Sequence, residues 1–270
     1  MELKAGSDTF RLNLMAERLR LDILPQPDDS TCGPTCLHAV YRFFGHEYSL
    51  DDVIRETPKL QNGGTLAVLL GSHALRHGYQ ATLYTYDLKV FDPTWFQTNR
   101  GQSSGHHVGD AVVPLIDKLR AEMAVKHREK IQMACAAYIE FLEMGGVIRM
   151  RDLNARLIRD QLRREVPILT GLSSTYLYQH PREYGPHNVD DDIQGDPQGH
   201  FVVLCGYDPE ERTVEVADPY LKNPLGVEHH YHVGLDRLVC AILLGVLTYD
   251  ANLLMIEPRQ ERNTQLFQTR

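Results

Sequence analysis

The chain has no run of apolar residues long enough to cross a bilayer. Its longest such stretch, AILLGVLTYDANLLMI, is interrupted by Tyr249, Asp250 and Asn252, short of the roughly 20 residues that a spanning helix requires. No membrane span is expected. Excess positive charge is also missing. With 28 Lys and Arg against 36 Asp and Glu, the formal net charge is -8, and the basic residues are dispersed among acidic ones. Nothing there would attract phosphates, so nucleic acid is not an expected partner. The N-terminal MELKAGSDTFRLNLMAERLRLDIL is charged throughout and lacks an unbroken apolar core, so no secretory signal is expected either.

Paired CxxC spacing is absent. The five cysteines (Cys32, Cys36, Cys135, Cys205 and Cys240) form an odd set that suits a reducing cytoplasm better than a disulfide framework or a zinc site. There is no HExxH, and His229 and His230 are adjacent and cannot share a helix face. No metal and no cofactor is expected. No repeat recurs along the chain, and no GxxxxGK[ST] loop is present, so ATP-driven export within this chain is not expected.

What is present is an ordinary globular composition, 43% hydrophobic and 24% charged over 270 residues, sufficient for a sizeable core. A helical lead is expected over about 9–20, followed by LDILPQPDDSTCGP, whose three prolines favour an extended approach to a turn. A helix should start at Cys32, with Ser30 or Thr31 as N-cap. Cys36, Leu37, Val40, Phe43 and Phe44 recur at helical spacing, and Gly45 ends the run. Ser49 with Asp52 marks the start of a second helix, and a third covers about 65–77 before the strand YQATLYTY. Residues 90–160 are expected to form a helical insertion within a single domain spanning 1–270. VPILTGL, HFVVLCGYD, TVEVADPY and GVLTYDANLLMIEP then give β-strands. Helices first and strands later predict an α+β fold, an antiparallel sheet packed on the leading helix.

Four residues suggest chemistry. Cys32 at a helix start faces unpaired N–H groups and the positive end of the helix dipole, which favour a thiolate. A small buried hydrophobe is the alternative for such a cysteine. Gln26, on the extended approach, can point its amide at the same oxygen as the Cys32 N–H, and two such donors make an oxyanion hole. Standing alone it reads as a surface residue. His200 opens one strand and Asp218 closes the next, and in an antiparallel hairpin those two ends meet. Singly, they read as a strand-end histidine and a turn-initiating aspartate.

Taken jointly, Q-x5-C-G-P before a helix, a distant G-H-F-V-V-L-x-G-Y and then V-x-V-A-D-P resemble the pattern of C39-like, bacteriocin-processing peptidases of the papain-like superfamily. The resemblance spans most of the chain. It implies a papain-like fold and a cysteine peptidase with Cys32 as nucleophile, His200 as general base, Asp218 as its orienting partner and Gln26 as oxyanion donor. The implied partner is a peptide or protein substrate, a leader peptide among the choices. The insertion over 90–160 lengthens the spacing between cysteine and histidine relative to that pattern, and Cys36 follows one helical turn after Cys32, where it should pack inward. An acyltransferase or peptide-ligating enzyme on the same fold, or a peptide-binding domain without turnover, remain open alternatives.

Overall fold

The computed structural model describes residues 17–60, 64–96, 112–185, 187–248 and 251–259. Glu17–Arg18 form a two-residue strand, β1, pairing with Tyr207 and Gly206. This corrects the helical lead at its end, since tertiary pairing and the Arg18 to Glu215 ion pair (2.8 Å) outweigh a weak local preference. Residues 9–16 of that expected helix lie outside the described residues.

Helix α1 spans Cys32–Phe43. Pro34 is tolerated there because first-turn N–H groups have no intrahelical acceptor. Cys36, Leu37, Val40 and Tyr41 are buried, and Gly45, with φ +79°, takes the left-handed conformation that terminates the run. Thr31 is the N-cap residue but makes no side-chain capping bond. Its Oγ1 donates to the Asp28 carbonyl instead (2.9 Å), bracing the approach loop. Helix α2, Leu50–Glu56, is capped as expected, Ser49 Oγ accepting from the Asp52 N–H at 3.1 Å. Helix α3 covers Ala67–Arg76 and strand β2 covers Tyr79–Thr85.

Within 90–160 the described residues give a short 3-10 turn at Pro93–Phe96, α4 (Val112–Val125), α5 (Glu129–Glu143), β3 (Val147–Arg149) and α6 (Ala155–Leu162). The expected helices are joined by a strand, and β3 adds to the sheet edge parallel to β2. Residues 97–111 lie outside the described residues. Helix α5 is no appendage, because Ile131, Cys135, Phe141 and Leu142 are buried in the core that α1 and α3 share.

The second half supplies β4 (Ile168–Ser173), α7 (Ser174–Tyr178), a small hairpin of β5 (Glu183–Tyr184) and β6 (Val189–Asp190), β7 (Gly199–Asp208), β8 (Thr213–Ala217), β9 (His230–Gly234), α8 (Leu235–Leu244) and β10 (Asn252–Pro258). The main sheet runs β3-β2-β10-β4-β7-β8-β9 and is antiparallel except at β2–β3. Strand alternation sorts its side chains into two cores. Phe201, Val203 and Cys205 face the layer of α1, α3 and α5, while Val202 and Leu204 face α6 and α8. The fold is thus α+β, its leading helix packed on an antiparallel sheet as the sequence implied. A bulge between Leu204 and Gly206 kinks β7. A Cβ on Gly206 would lie 2.9 Å from that of Glu215, so only glycine fits there.

Candidate active site

Three elements converge at the start of α1. Cys32 is the first residue of that helix, and it is almost wholly buried. The next position has to be glycine, because a Cβ on Gly33 would meet Thr65 Cγ2 at 2.7 Å and both Leu70 and Phe201 at 3.2 Å. That close approach seats the helix end on β7. One turn on, Cys36 packs inward as expected, and its Sγ donates to the Phe201 carbonyl at 3.2 Å. Burial, with Cys32 and Asp218 nearby, pushes the Cys36 thiol well up, so it stays protonated.

His200 enters from the start of β7, opposite Leu172 of β4, and Asp218 follows the end of β8. The expected meeting of these strand ends is observed: the His200 Nε2–H donates to Asp218 Oδ1 at 2.8 Å. Nδ1 is then the ring nitrogen left free of Asp218, and Cys32 is close enough to contribute to the shift of the imidazole. Burial alone would push the imidazole down. The charge and hydrogen bond of Asp218, with the contribution of Cys32, raise it instead to about 10. Asp218 is fully buried, which by itself would favour its protonated form. The opposite charge of His200 and the hydrogen bonds from His200, Tyr178 and the Tyr220 N–H hold its carboxyl below the usual range.

Those donors include residues that sequence reasoning does not find. Besides His200, Oδ1 accepts the Tyr220 N–H at 2.8 Å, and Oδ2 accepts hydroxyls from Tyr178 at 2.6 Å and Tyr231 at 2.8 Å. Tyr178 is on α7 and Tyr231 on β9, so only tertiary structure brings them together. Both hydroxyls are buried against the carboxylate, which pushes their own ionisation far up. The rings of Tyr178 and Tyr220 also flank the His200 imidazole at 6.1 and 6.3 Å.

Asp208 and Asn223, other polar residues near these strand ends, do not meet His200. Asp208 caps the β7–β8 turn through the N–H groups of Glu210 and Glu211. Asn223 braces the loop after Asp218, donating to the carbonyls of Tyr220 and Glu228 and accepting from Leu225 and Gly226.

Gln26 is tied to the same region through its backbone, its N–H donating to the Pro219 carbonyl at 3.0 Å. This joins the approach loop to the residue after Asp218. Its Nε2 donates to the Asp28 carbonyl at 3.0 Å, and its Oε1 is buried without a hydrogen-bond partner among the described residues. The arrangement holds the components of acyl transfer through sulfur: a thiol at a helix N-terminus, an imidazole beside it, a buried carboxylate orienting the imidazole, and an amide on the adjoining loop.

Solved structures of peptidases resemble the chain distantly. The peptidase domain of ComA from Streptococcus, a bi-functional ABC transporter, has 13% identity over 89% of this chain and 100% of that one, at a TM-score of 0.39. A double glycine motif protease from an AMS/PCAT transporter, in complex with its leader peptide, has 12% identity over 90% and 94%, at 0.41. Xylellain, a cysteine protease from Xylella fastidiosa, has 11% identity over 95% and 91%, at 0.41. No curated protein matches in sequence. The sequence profile of the Peptidase_C39 like family matches residues 18–237, and the chain belongs to that family.

Proposed function

We propose that this protein is a cysteine peptidase or amidase that works through an acyl-enzyme on Cys32. The observation that supports this most is the His200 to Asp218 hydrogen bond, with Cys32 near enough to shift the same imidazole, assembled from α1, β7 and the end of β8. In the mechanism, His200 Nδ1 takes the thiol proton and the sulfur attacks the scissile carbonyl carbon. The C–S bond forms as the carbonyl π electrons move onto oxygen, where the Cys32 N–H and the Gln26 amide stabilise the oxyanion. Collapse breaks the C–N bond, the amine leaves with the proton from His200, and a water deprotonated by His200 then forms the C–O bond while the C–S bond breaks. Asp218, held by Tyr178, Tyr231 and Tyr220, keeps the proton on Nε2, so that Nδ1 is the nitrogen that takes up each proton and returns it.

The substrate is inferred from family membership to be a peptide or protein segment, a leader peptide being the specific choice. Five unpaired cysteines support a reducing, cytoplasmic setting. Among the described residues no helix is long and apolar enough to cross a membrane. The segment 176–199, which leads directly into His200, and the described part of 90–160 are proposed to border the substrate cleft.

The test is peptide turnover in ¹⁸O-water. Hydrolysis places one heavy oxygen in the new C-terminal carboxylate, and the activity disappears in Cys32→Ala. Products without heavy oxygen that carry an added amine would identify an acyltransferase. Binding without turnover, equal in wild type and Cys32→Ala, would identify a binding domain and overturn the proposal.

A further inference from the structure

A second constellation lies on the helical layer, on α2 and α3. The sequence H-A-L-R-H puts His73, on α3, and His77, the residue that caps it, one helical turn apart, so both rings project from the same face. Their imidazoles stack at 4.3 Å between ring centres. Glu56, the last residue of α2, meets them. Its Oε2 lies 3.1 Å from His77 Nε2 and 3.6 Å from His73 Nε2, and the three ligand atoms all fall within 4.8 Å of one another.

His73 is 2% exposed. Its Nδ1 is engaged by the buried Tyr41 hydroxyl at 2.8 Å, whereas its Nε2 has no hydrogen-bond partner and points at Glu56. A proton shared between His77 and Glu56 would leave that nitrogen orphaned, a costly arrangement for a buried polar atom. A cation at the common focus satisfies all three groups once the partly exposed His77 ring turns out of the stack, since the Nε2 lone pair lies in the plane of its own ring. Atoms bound tetrahedrally at about 2.0–2.1 Å from zinc stand roughly 3.3–3.4 Å apart, and the two measured separations bracket that spacing. With Nε2 on a metal, Nδ1–H donates to Tyr41, the outer bond that fixes the ring of a ligating histidine. Glu56 Oε1 faces Arg55 at 3.6 Å, and its side chain is 44% exposed, which leaves a route for an ion, and for the water that would be its fourth ligand, to enter from solvent.

The other cluster of potential ligands, Cys205, Glu215 and His230, is less suited. Arg18 already lies 2.8 Å from the Glu215 carboxylate, and the Cys205 Sγ–H is directed at the Glu215 carbonyl.

We propose that Glu56 Oε2, His73 Nε2 and His77 Nε2 bind one divalent ion of the zinc class, clamping α2 to α3 beside the end of α1. The site is independent of the Cys32 chemistry. Imidazole nitrogen and carboxylate oxygen are borderline donors that select Zn²⁺, Co²⁺ or Ni²⁺ over Ca²⁺ and Mg²⁺.

The test uses the tag-free full chain carrying Cys32→Ser, so that the thiol next to His200 cannot take the metal. Co²⁺ is titrated while its visible absorption is followed, and Zn²⁺ is titrated by calorimetry and by the shift in melting temperature. One ion per chain is expected, with the intense visible bands of four-coordinate Co²⁺ and a melting temperature raised by Zn²⁺. His77→Gln and Glu56→Gln, both at partly exposed positions, should keep the fold by circular dichroism and weaken binding about a hundredfold or more. Tyr41→Phe should weaken it tenfold to a hundredfold. Absence of saturable binding by the folded Cys32→Ser protein would overturn the proposal. So would equal affinity in His77→Gln, or loss of binding on Cys205→Ser with His77 intact.

Discussion

At the scale of single residues, the buried Asp218 carboxylate organises the site, and its surroundings set what each substitution does. Asp218→Asn can keep Oδ1 toward His200 and Tyr220 while its new amide donates to the Tyr178 and Tyr231 hydroxyls, which then serve as acceptors. The fold should therefore survive, with the loss falling on turnover, by roughly a thousandfold or more, and on the alkylation rate of Cys32. Unchanged activity in a folded Asp218→Asn would show that the carboxylate charge is not used. Gln26→Ala removes one oxyanion donor and should lower turnover roughly a hundredfold to a thousandfold while leaving Cys32 alkylation untouched. If alkylation also failed, Gln26 would be bracing the loop that its backbone bond to Pro219 holds. Tyr178→Phe deletes a hydrogen bond to a buried charge and should cost about 1.5–3 kcal/mol of stability, measured by urea unfolding. Cys32, His200 and Asp218 are legible in the sequence because each occupies an element end with a recognisable turn or helix signal. The tyrosines are not, because nothing local to α7 or β9 marks a hydroxyl that will find Asp218 across the fold.

At the scale of elements, the junction of α1 with β7 fixes where the thiol sits. Gly33→Ala forces Thr65, Leu70 or Phe201 to move, and overpacking of that kind costs about 1–3 kcal/mol. The expected result is a lower melting temperature together with slower Cys32 alkylation, since the helix start shifts with its second residue. A loss of stability with alkylation at the wild-type rate would place the strain elsewhere. The segment 90–160 needs a different approach, because removing α5 would remove part of the main core. Polar substitutions on its exposed face are the informative ones for substrate selection. Helices α1 to α3 and strands β2, β7 and β8 are readable from periodicity and turn residues. The short strands β1 and β3 are not, since two or three residues carry no period and pair only because a sheet edge is waiting for them.

At the scale of the whole molecule, the His200–Asp218 pair links stability to pH. The folded value of His200, about 10, exceeds the unfolded value of about 6.5. Its contribution is therefore complete below about pH 6.5 and lost as pH rises toward about 10. Asp218 is shifted down, so its contribution is complete above the unfolded value of about 3.9 and lost as pH falls through its folded value. Both are fully present between about pH 4 and pH 6.5. The stability gap between wild type and His200→Asn should accordingly narrow between pH 6.5 and pH 9.5, and a constant gap would contradict the assignment. Whether Cys32 is the nucleophile activated by His200 is decided by iodoacetamide labelling of the folded protein at neutral pH, read cysteine by cysteine by peptide mass. Cys36, Cys135 and Cys205 are buried, and burial raises all three thiols, so they should stay silent, while the exposed Cys240 sets the rate of an ordinary thiol. Cys32 should be labelled well before Cys240 in wild type and should lose that advantage in His200→Ala. Labelling of Cys240 ahead of Cys32, or a Cys32 rate indifferent to His200, would contradict that role.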